Sequence, residues 1–391
     1  MKFFGDTTPM RFGLFMGPYH RPHLNPSIAF EYDMQTIMEL DRLGFHEVWI
    51  GEHHSGGVET IGNPELMIAA AAQVTKHIKL GTGVNSLPYH NPFMAADRIA
   101  QLSHMTRGRA MLGVGPGQLL QDCEMIGLDP LNNRERLDDA LGIVIRLLKG
   151  ETVTQKSDWY DLREARLQML PYDDFAVAVV SAISPSGAMT AGKHGAGLIS
   201  VAATHPLGIE KLNEHWGIVE ELAGKNGKSV DRSEWRLMGP MHIAETAAQA
   251  KKDVEYGLSE LEDYRAHINP GGDGAVDYFA DDIVDMFNES GAAVIGTPEM
   301  AIAQIQRLLD KTGGFGTYML MGVDWAPQPA QLRSLQLFAE EVMPHFNGQG
   351  KVMRKSFDDV MGTGFVGAQT TARGQAEARQ RYLDQRDKPA V

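Results

Sequence analysis

Three ionisable side chains, Glu52, His53 and His54, stand together directly after the run Val48-Trp49-Ile50-Gly51. Imidazole titrates near neutrality, so a histidine placed there suits proton transfer or hydrogen-bond donation to a reacting group. No metal is expected. Histidines sharing a metal on a helix are spaced four apart, whereas sequence neighbours point apart, and the single cysteine, Cys123, leaves no thiolate cluster. The plain alternative, a histidine bonded only to its structural surroundings, suits one of the two. Further polar and glycine positions recur along the chain: Asn85 and Ser86, Tyr89-His90-Asn91, Gly113, Gly115 and Gly117, Ser184, Ser186 and Gly187, and Asp324-Trp325. The segment Gly113–Gly117 is not a dinucleotide fingerprint, because the glycine spacing fails and Pro116 intrudes. Its glycines suit close approach of a flat ring to the backbone. Ser184-Pro185-Ser186-Gly187 offers hydroxyls at a helix start. That arrangement suits a phosphate, and equally an ordinary helix cap.

The elements that must position these groups alternate. Apolar, β-favouring runs occur at Arg11–Met16, Glu47–Ile50, Ile78–Val84, Ala110–Val114, Phe175–Ala182, Gly197–Val201, Trp235–Ile243 and Gly316–Met321. Helical spacing fills the intervals at Pro26–Leu43, Pro64–Val74, Pro92–Met105, Arg134–Leu148, Ser186–His194, Pro206–Gly224, Pro298–Leu309 and Leu332–Val342, several opened by proline. Glu151–Pro171 reads as a short hairpin carrying Trp159 and Tyr160, and Thr246–Tyr264 as a helix. Eight strands alternating with helices predict a (β/α)8 TIM barrel over residues 9–346. In such a barrel the polar positions above share the C-terminal rim, where barrels of this kind do chemistry. The segment 247–295, between strand seven and the next helix, is too long for an ordinary connection and reads as a lid-like insertion. Residues 347–391 read as a polar C-terminal tail, with a helix near 371–384 or an arm for a partner subunit.

The formal net charge of −14 argues against nucleic acid or an anionic membrane surface as partner. No apolar run approaches the roughly 18 residues of a membrane span, and the first residues lack a signal-like core. A cytoplasmic protein is expected. The 21 methionines are read as core packing, since a thioether chain fills irregular apolar gaps.

The ordered motifs resemble those of the bacterial-luciferase-like superfamily of flavin-dependent monooxygenases. They are E-H-H at Glu52–His54, N-P at Asn63-Pro64, G-T-G-V-N-S-L-P-Y-H-N-P at Gly81–Pro92, G-R at Gly108-Arg109, A-G-K-H-G at Ala191–Gly195, G-T-P-E at Gly296–Glu299 and T-G-G-F-G at Thr312–Gly316. The resemblance implies a reduced flavin, FMN or FAD, at the barrel mouth. Its ring would lie near Gly83, Val84 and Asn85, with Gly115 beside it and the phosphate at Ser184, Ser186 and Gly187. It also implies a non-proline cis peptide at Gly83–Val84, and His53 as the catalytic histidine with Glu52 and His54 beside it. The family's phosphate-binding arginine after strand four is Pro116 here, so other donors must hold the phosphate. The implied activity is oxygen transfer from a flavin C4a-hydroperoxide, formed with O2, to the alkene of a monoterpene. The alternatives are Baeyer–Villiger oxidation of a cyclic ketone and deazaflavin-dependent hydride transfer. A separate NAD(P)H:flavin reductase and a homodimer, paired through the second and third helices, are implied partners. Phe15, Met16, Tyr89, Met241 and Trp325 are candidates for an apolar substrate pocket, with plain core packing as the alternative for each.

Overall fold

A computed structural model describes residues 9–268, 282–348, 350–362 and 366–387. In chain order its elements are β1 (Arg11–Tyr19), α1 (Pro26–Leu43), β2 (Glu47–Ile50), α2 (Pro64–Val74), β3 (Lys79–Ser86), α3 (Pro92–Met105), β4 (Ala110–Gly115), α4 (Leu120–Ile126), α5 (Asn133–Leu148), β5 (Val153–Lys156), β6 (Asp161–Ala165), β7 (Val177–Ser181), α6 (Ser186–His194), β8 (Gly197–Ser200), α7 (Pro206–Lys225) and β9 (Trp235–Ile243). They continue as α8 (Ala247–Val254), α9 (Leu258–Ile268), α10 (Ile283–Ser290), β10 (Val294–Gly296), α11 (Pro298–Thr312), β11 (Thr317–Val323), α12 (Gln328–Leu337), α13 (Met343–Asn347), α14 (Lys351–Gly362) and α15 (Val366–Arg386).

Eight of these strands form the expected parallel barrel. The order β9-β11-β1-β2-β3-β4-β7-β8 returns to β9 through a β8–β9 pairing. β5 and β6 make the expected antiparallel hairpin. Three helices begin with the same dipeptide, Asn25-Pro26, Asn63-Pro64 and Asn91-Pro92. Each asparagine side chain accepts a backbone N–H of the first turn, while the proline gives up a donor that had no partner there. At the other end of α1, Gly44 takes φ +81°, the left-handed cap that only glycine adopts without strain.

Five features differ from the sequence reading. α4 was not expected; its seven residues are too few for a periodic signal. The segment read as one helix over 246–264 breaks into α8 and α9 around Gly257, where a β-carbon would stand 2.2 Å from the Asp324 carbonyl oxygen. β10 is a three-residue strand that pairs only with β9 and adds nothing to the ring. The chain divides into two compact units at Met343/Pro344 rather than after Phe346. Beyond α13, the described part of the second unit carries α14 and α15, where one helix was expected.

The barrel interior explains several glycines. Trp49 points inward from β2 and is fully buried. A β-carbon on Gly81 would lie 2.6 Å from its indole, and one on Gly113 would lie 3.0 Å from it and 2.2 Å from the Thr82 carbonyl. Gly113 therefore makes room for the protein's own ring and not for a ligand's. Met111, Met238, Met319 and Met321 join Trp49 in the central cluster, as the methionine count implied. Below Trp49 the barrel is plugged by a buried ion pair. Arg236 Nε donates to Glu47 Oε1 at 2.7 Å, Nη2 reaches Oε2 at 3.3 Å, and the guanidinium lies 5.0 Å from the Trp49 ring centre.

Candidate active site

β2 ends against the rim, and the three residues after Gly51 part company there. The Glu52 carboxylate is buried and accepts three groups: the Ser86 N–H at 2.6 Å, His90 Nε2 at 2.6 Å and His54 Nε2 at 3.3 Å. Burial alone would raise its pKa. The bonds from His54 and His90, the charge of His90 and the Ser86 amide outweigh that and hold it down to about 2. Glu52 thus ties the ends of β2 and β3 together as a permanent carboxylate, with His54 and His90 as its partners.

His53 belongs to a different group. Its Nε2 lies 3.0 Å from Glu59 Oε2, and its Nδ1 lies 3.7 Å from Asp122 Oδ2. Burial works against a charged imidazole, but the close approach of Asp122, the bond to Glu59 and the two carboxylate charges win, lifting the pKa from 6.5 to about 9. At neutral pH His53 is therefore an imidazolium between two buried carboxylates. Asp122 also accepts from Ser55 Oγ and from the His54 N–H, which fixes the loop carrying all three residues. Glu59 and Asp122 were not singled out from the sequence. Asp122 lies in the unforeseen α4, and Glu59 sits in an irregular loop without periodicity. The sequence puts His90 on the rim and offers no partner for it.

The insertion reaches this group. Tyr264 of α9 carries its hydroxyl over Gly56, where a β-carbon would come within 2.3 Å of it. That hydroxyl is buried without a hydrogen-bond partner among the described residues, and the charges of Glu59 and Asp122 are felt there. Burial first, then those two charges, push its pKa up to about 12, so it remains a phenol, able to donate. The helix is firmly anchored. Arg21 Nε donates to Glu260 at 2.7 Å and its guanidinium lies over Tyr256, Trp325 Nε1 donates to the buried Glu262 at 3.1 Å, and Trp325 stacks on Phe287 of α10. Part of the insertion, residues 269–281, lies outside the described residues.

The other expected positions are spread around the same rim. The Gly83–Val84 peptide is cis, as the resemblance implied. Val84 is half-buried, and a β-carbon on Gly115 would meet Val84 and Val180. The Asn85 side chain turns away from the barrel and donates to Glu65 of α2 at 3.0 Å, leaving its Oδ1 buried without a hydrogen-bond partner among the described residues. Ser184 and Ser186 lie at the start of α6, whose N-cap residue, Pro185, has no capping side chain. Ser184 is exposed, and its Oγ is 3.4 Å from the Ser186 N–H. Gly187 serves packing, since a β-carbon there would stand 2.2 Å from the Val180 carbonyl. Among the pocket candidates, Met16 lines a small cavity outside the barrel, Trp325 is buried against Phe287, and Phe15 packs on the central cluster. Tyr89 lies over Gly117 and beside Cys123, and Met241 pairs in register with Val294. Arg109 is held by the backbone carbonyls of Ala72, Thr75 and Ile78 at the far end of β4, so it is no phosphate ligand.

Behind β1 a second buried histidine repeats the charge pattern. His20 bonds Asp324 at 2.8 Å and Asp33 at 3.1 Å; burial opposes its charge, and the two carboxylates raise its pKa to about 10. Both histidines have folded values above their unfolded 6.5, so their stabilisation is complete below pH 6.5. It is lost as pH rises through about 9 for His53 and about 10 for His20. Calorimetry between pH 7 and 10.5 is expected to show a steadily falling Tm, and His20→Gln is expected to flatten its upper part. A Tm constant over that range would contradict the charged assignment.

Among the described residues no group of three metal-ligating side chains is assembled, and no helix is long and apolar enough to cross a membrane. Residues 10–314 match the family model described as luciferase-like monooxygenase. The chain is 48% identical over 375 residues to limonene 1,2-monooxygenase of Rhodococcus erythropolis, covering 96% of each. It is 37% identical to 4-hydroxyprotoasukamycin monooxygenase of Streptomyces nodosus subsp. asukaensis, over 86% of this chain and 92% of that one. Among solved structures it resembles the oxygenating constituent of 3,6-diketocamphane monooxygenase of Pseudomonas putida, a type II Baeyer–Villiger enzyme in complex with FMN. That match has TM-score 0.72 and 26% identity, over 86% of this chain and 98% of that one. A barrel closed by eight parallel strands, a rim carrying Glu-His-His, and a family match along most of its length agree: this chain belongs to the luciferase-like monooxygenase family.

Proposed function

We propose that this protein is the oxygenase of a two-component system that uses reduced flavin and O2 to epoxidise an alkene of a monoterpene, with limonene as the first substrate to test. The observation that carries the substrate class is the 48% identity to limonene 1,2-monooxygenase over 96% of both chains. We place the reaction in the cytoplasm, where a separate NAD(P)H:flavin reductase supplies the reduced cofactor.

The residues present fit a flavin. The start of α6 with its two serine hydroxyls would form a cradle for a phosphate, since helix N-termini present unsatisfied N–H groups and positive partial charge. It takes over the work of the arginine that Pro116 replaces. Val84, Val180 and Val201 offer half-buried apolar surface at the mouth for a flat ring. When bound, reduced flavin supplies the two electrons that activate dioxygen; the rest falls to the chain.

One oxygen atom enters the alkene and the other leaves as water, which consumes one proton beyond that carried by the anionic reduced cofactor. His53 is the group that holds this proton, at a nitrogen kept charged by Glu59 and Asp122. Tyr264 adds a neutral donor from the insertion, and α8 and α9 close that side of the mouth as a lid-like cover. Trp49 and the Glu47–Arg236 pair seal the barrel below, so water is kept from the reacting atoms.

The test is direct. The protein, a flavin reductase, NADH, O2 and limonene are incubated, and product is sought by mass spectrometry; the epoxide is expected with FMN or FAD. The diketocamphane relatives favour a second reading, Baeyer–Villiger oxidation, so a cyclic ketone is run beside it. A lactone with no epoxide would replace the first reading by the second. Tight binding of a deazaflavin with no binding of flavin would overturn both. Tyr264→Phe is expected to lower epoxide formed per NADH by about tenfold, the worth of one well-placed hydrogen bond, with peroxide rising to match. Unchanged coupling would remove Tyr264 from the site.

A further inference from the structure

We propose that His215 of α7 is a positioning residue for the flavin phosphate: it orients the Ser181 hydroxyl, which in turn fixes the turn carrying Ser184 at the start of α6. This rests on the placement of the phosphate at that helix start. α7 buries Leu212, His215, Trp216, Val219 and Ala223 along one stripe. His215 is 1% exposed and stands as the imidazole in an otherwise apolar row. A polar ring buried there costs stability unless it is bonded. Its bond goes to the end of β7. Nδ1 lies 3.4 Å from Ser181 Oγ, and Ser181 Oγ donates to the Ser184 carbonyl at 3.4 Å.

A hydroxyl has one proton to give. With that of Ser181 directed to Ser184, its oxygen accepts from His215, so Nδ1 carries the hydrogen and Nε2 the lone pair. Nε2 is buried and has no hydrogen-bond partner among the described residues. Burial, opposed by the charge of Glu214 and by the Ile183 backbone and helped by Lys211, holds the ring below its ordinary pKa of 6.5. At neutral pH it is therefore the neutral donor that this chain of bonds needs. The chain ends where the backbone has least other support. Ala182, Ile183, Ser184 and Pro185 are all exposed, whereas Ser181 is buried and its carbonyl accepts the Val201 N–H at 2.9 Å. With its carbonyl held from beneath, Ser184 keeps its hydroxyl at the helix start, 3.2 Å from Ser186 Oγ and 3.4 Å from the Ser186 N–H. Those are the donors that a phosphate would take.

Binding of FMN and of riboflavin, which lacks the phosphate, is measured on the full-length protein by fluorescence quenching. The parent is expected to bind FMN the more tightly. His215→Leu, which keeps the α7 stripe apolar, is expected to weaken FMN binding about tenfold, the worth of one hydrogen bond, and to leave riboflavin binding unchanged. His215→Asn, whose amide nitrogen takes the place of Nδ1–H, is expected to recover most of that loss. Ser181→Ala removes the next link without touching the stripe. It is expected to lose as much as His215→Leu, and the two substitutions together no more than either alone, because they break one chain. FMN binding unchanged in both single variants would overturn the proposal while the phosphate reading stands, and so would equal weakening of FMN and riboflavin. Equal affinity of the parent for FMN and riboflavin would overturn the phosphate reading itself, and this proposal with it.

Discussion

Replacing His53 by alanine is expected to lower epoxide formation by about 10²–10⁴-fold, the usual contribution of a positioned acid, while flavin binding changes little. The phosphate cradle proposed at α6 and the apolar surface proposed for the ring do not involve this side chain, so flavin affinity, followed by fluorescence quenching, reports an intact site. NADH is still consumed, and peroxide appears in place of product. Alanine leaves Glu59 and Asp122 buried without their cation, so His53→Gln provides a milder companion that keeps a hydrogen-bonding group between them. Product yield unchanged in both variants would sink the assignment. The same assignment has a pH signature. His53 carries its proton up to about 9, so the oxygenation rate is expected to hold steady from pH 6.5 and to decline through about 9. In Asp122→Asn one of the two stabilising charges is gone, and the decline moves to lower pH. A profile of the same shape in both proteins would place the titrating group elsewhere.

The second large effect is on stability. Arg236→Met strands the fully buried Glu47 carboxylate at the bottom of the barrel, beside Trp49 Nε1. Removing one partner of a buried ion pair costs about 3–5 kcal/mol, because the remaining buried charge loses the cation bonded to it. Urea unfolding is expected to shift to lower midpoint by that amount with an unchanged slope. The double variant Glu47→Gln with Arg236→Met is expected to recover much of the loss, since the uncompensated charge is then gone. A single variant as stable as the parent would mean that the pair is not sealed from solvent. The residues lie at the end of the barrel opposite the rim, so flavin affinity well below the unfolding midpoint is expected to be unaffected.

Much of the architecture was legible because its signals are local. Asn-Pro at the start of three helices, continuous apolar strands and glycine stops each act within a few residues of themselves, and alternation of strand and helix leaves few ways to fold. The polar residues at strand ends could be assigned to one rim on topology alone. Local signals failed where elements are short, as in α4 and β10, or where a break depends on a distant backbone, as at Gly257 against Asp324.

The chain's own order of residues determined that Glu52, His53 and His54 stand at the mouth of a parallel barrel. Only the tertiary structure decided what each of them is. His53 is charged because Glu59 and Asp122, six and 69 positions away, close on its two nitrogens. Glu52 is ionised because His90 and the Ser86 amide of the next strand reach it. Tyr264 joins them from an insertion more than two hundred residues downstream. A protonation state is set by whichever charges and donors share a site out of water. Those partners come from loops and helices whose meeting depends on how the barrel closes, and no local pattern in the sequence records it.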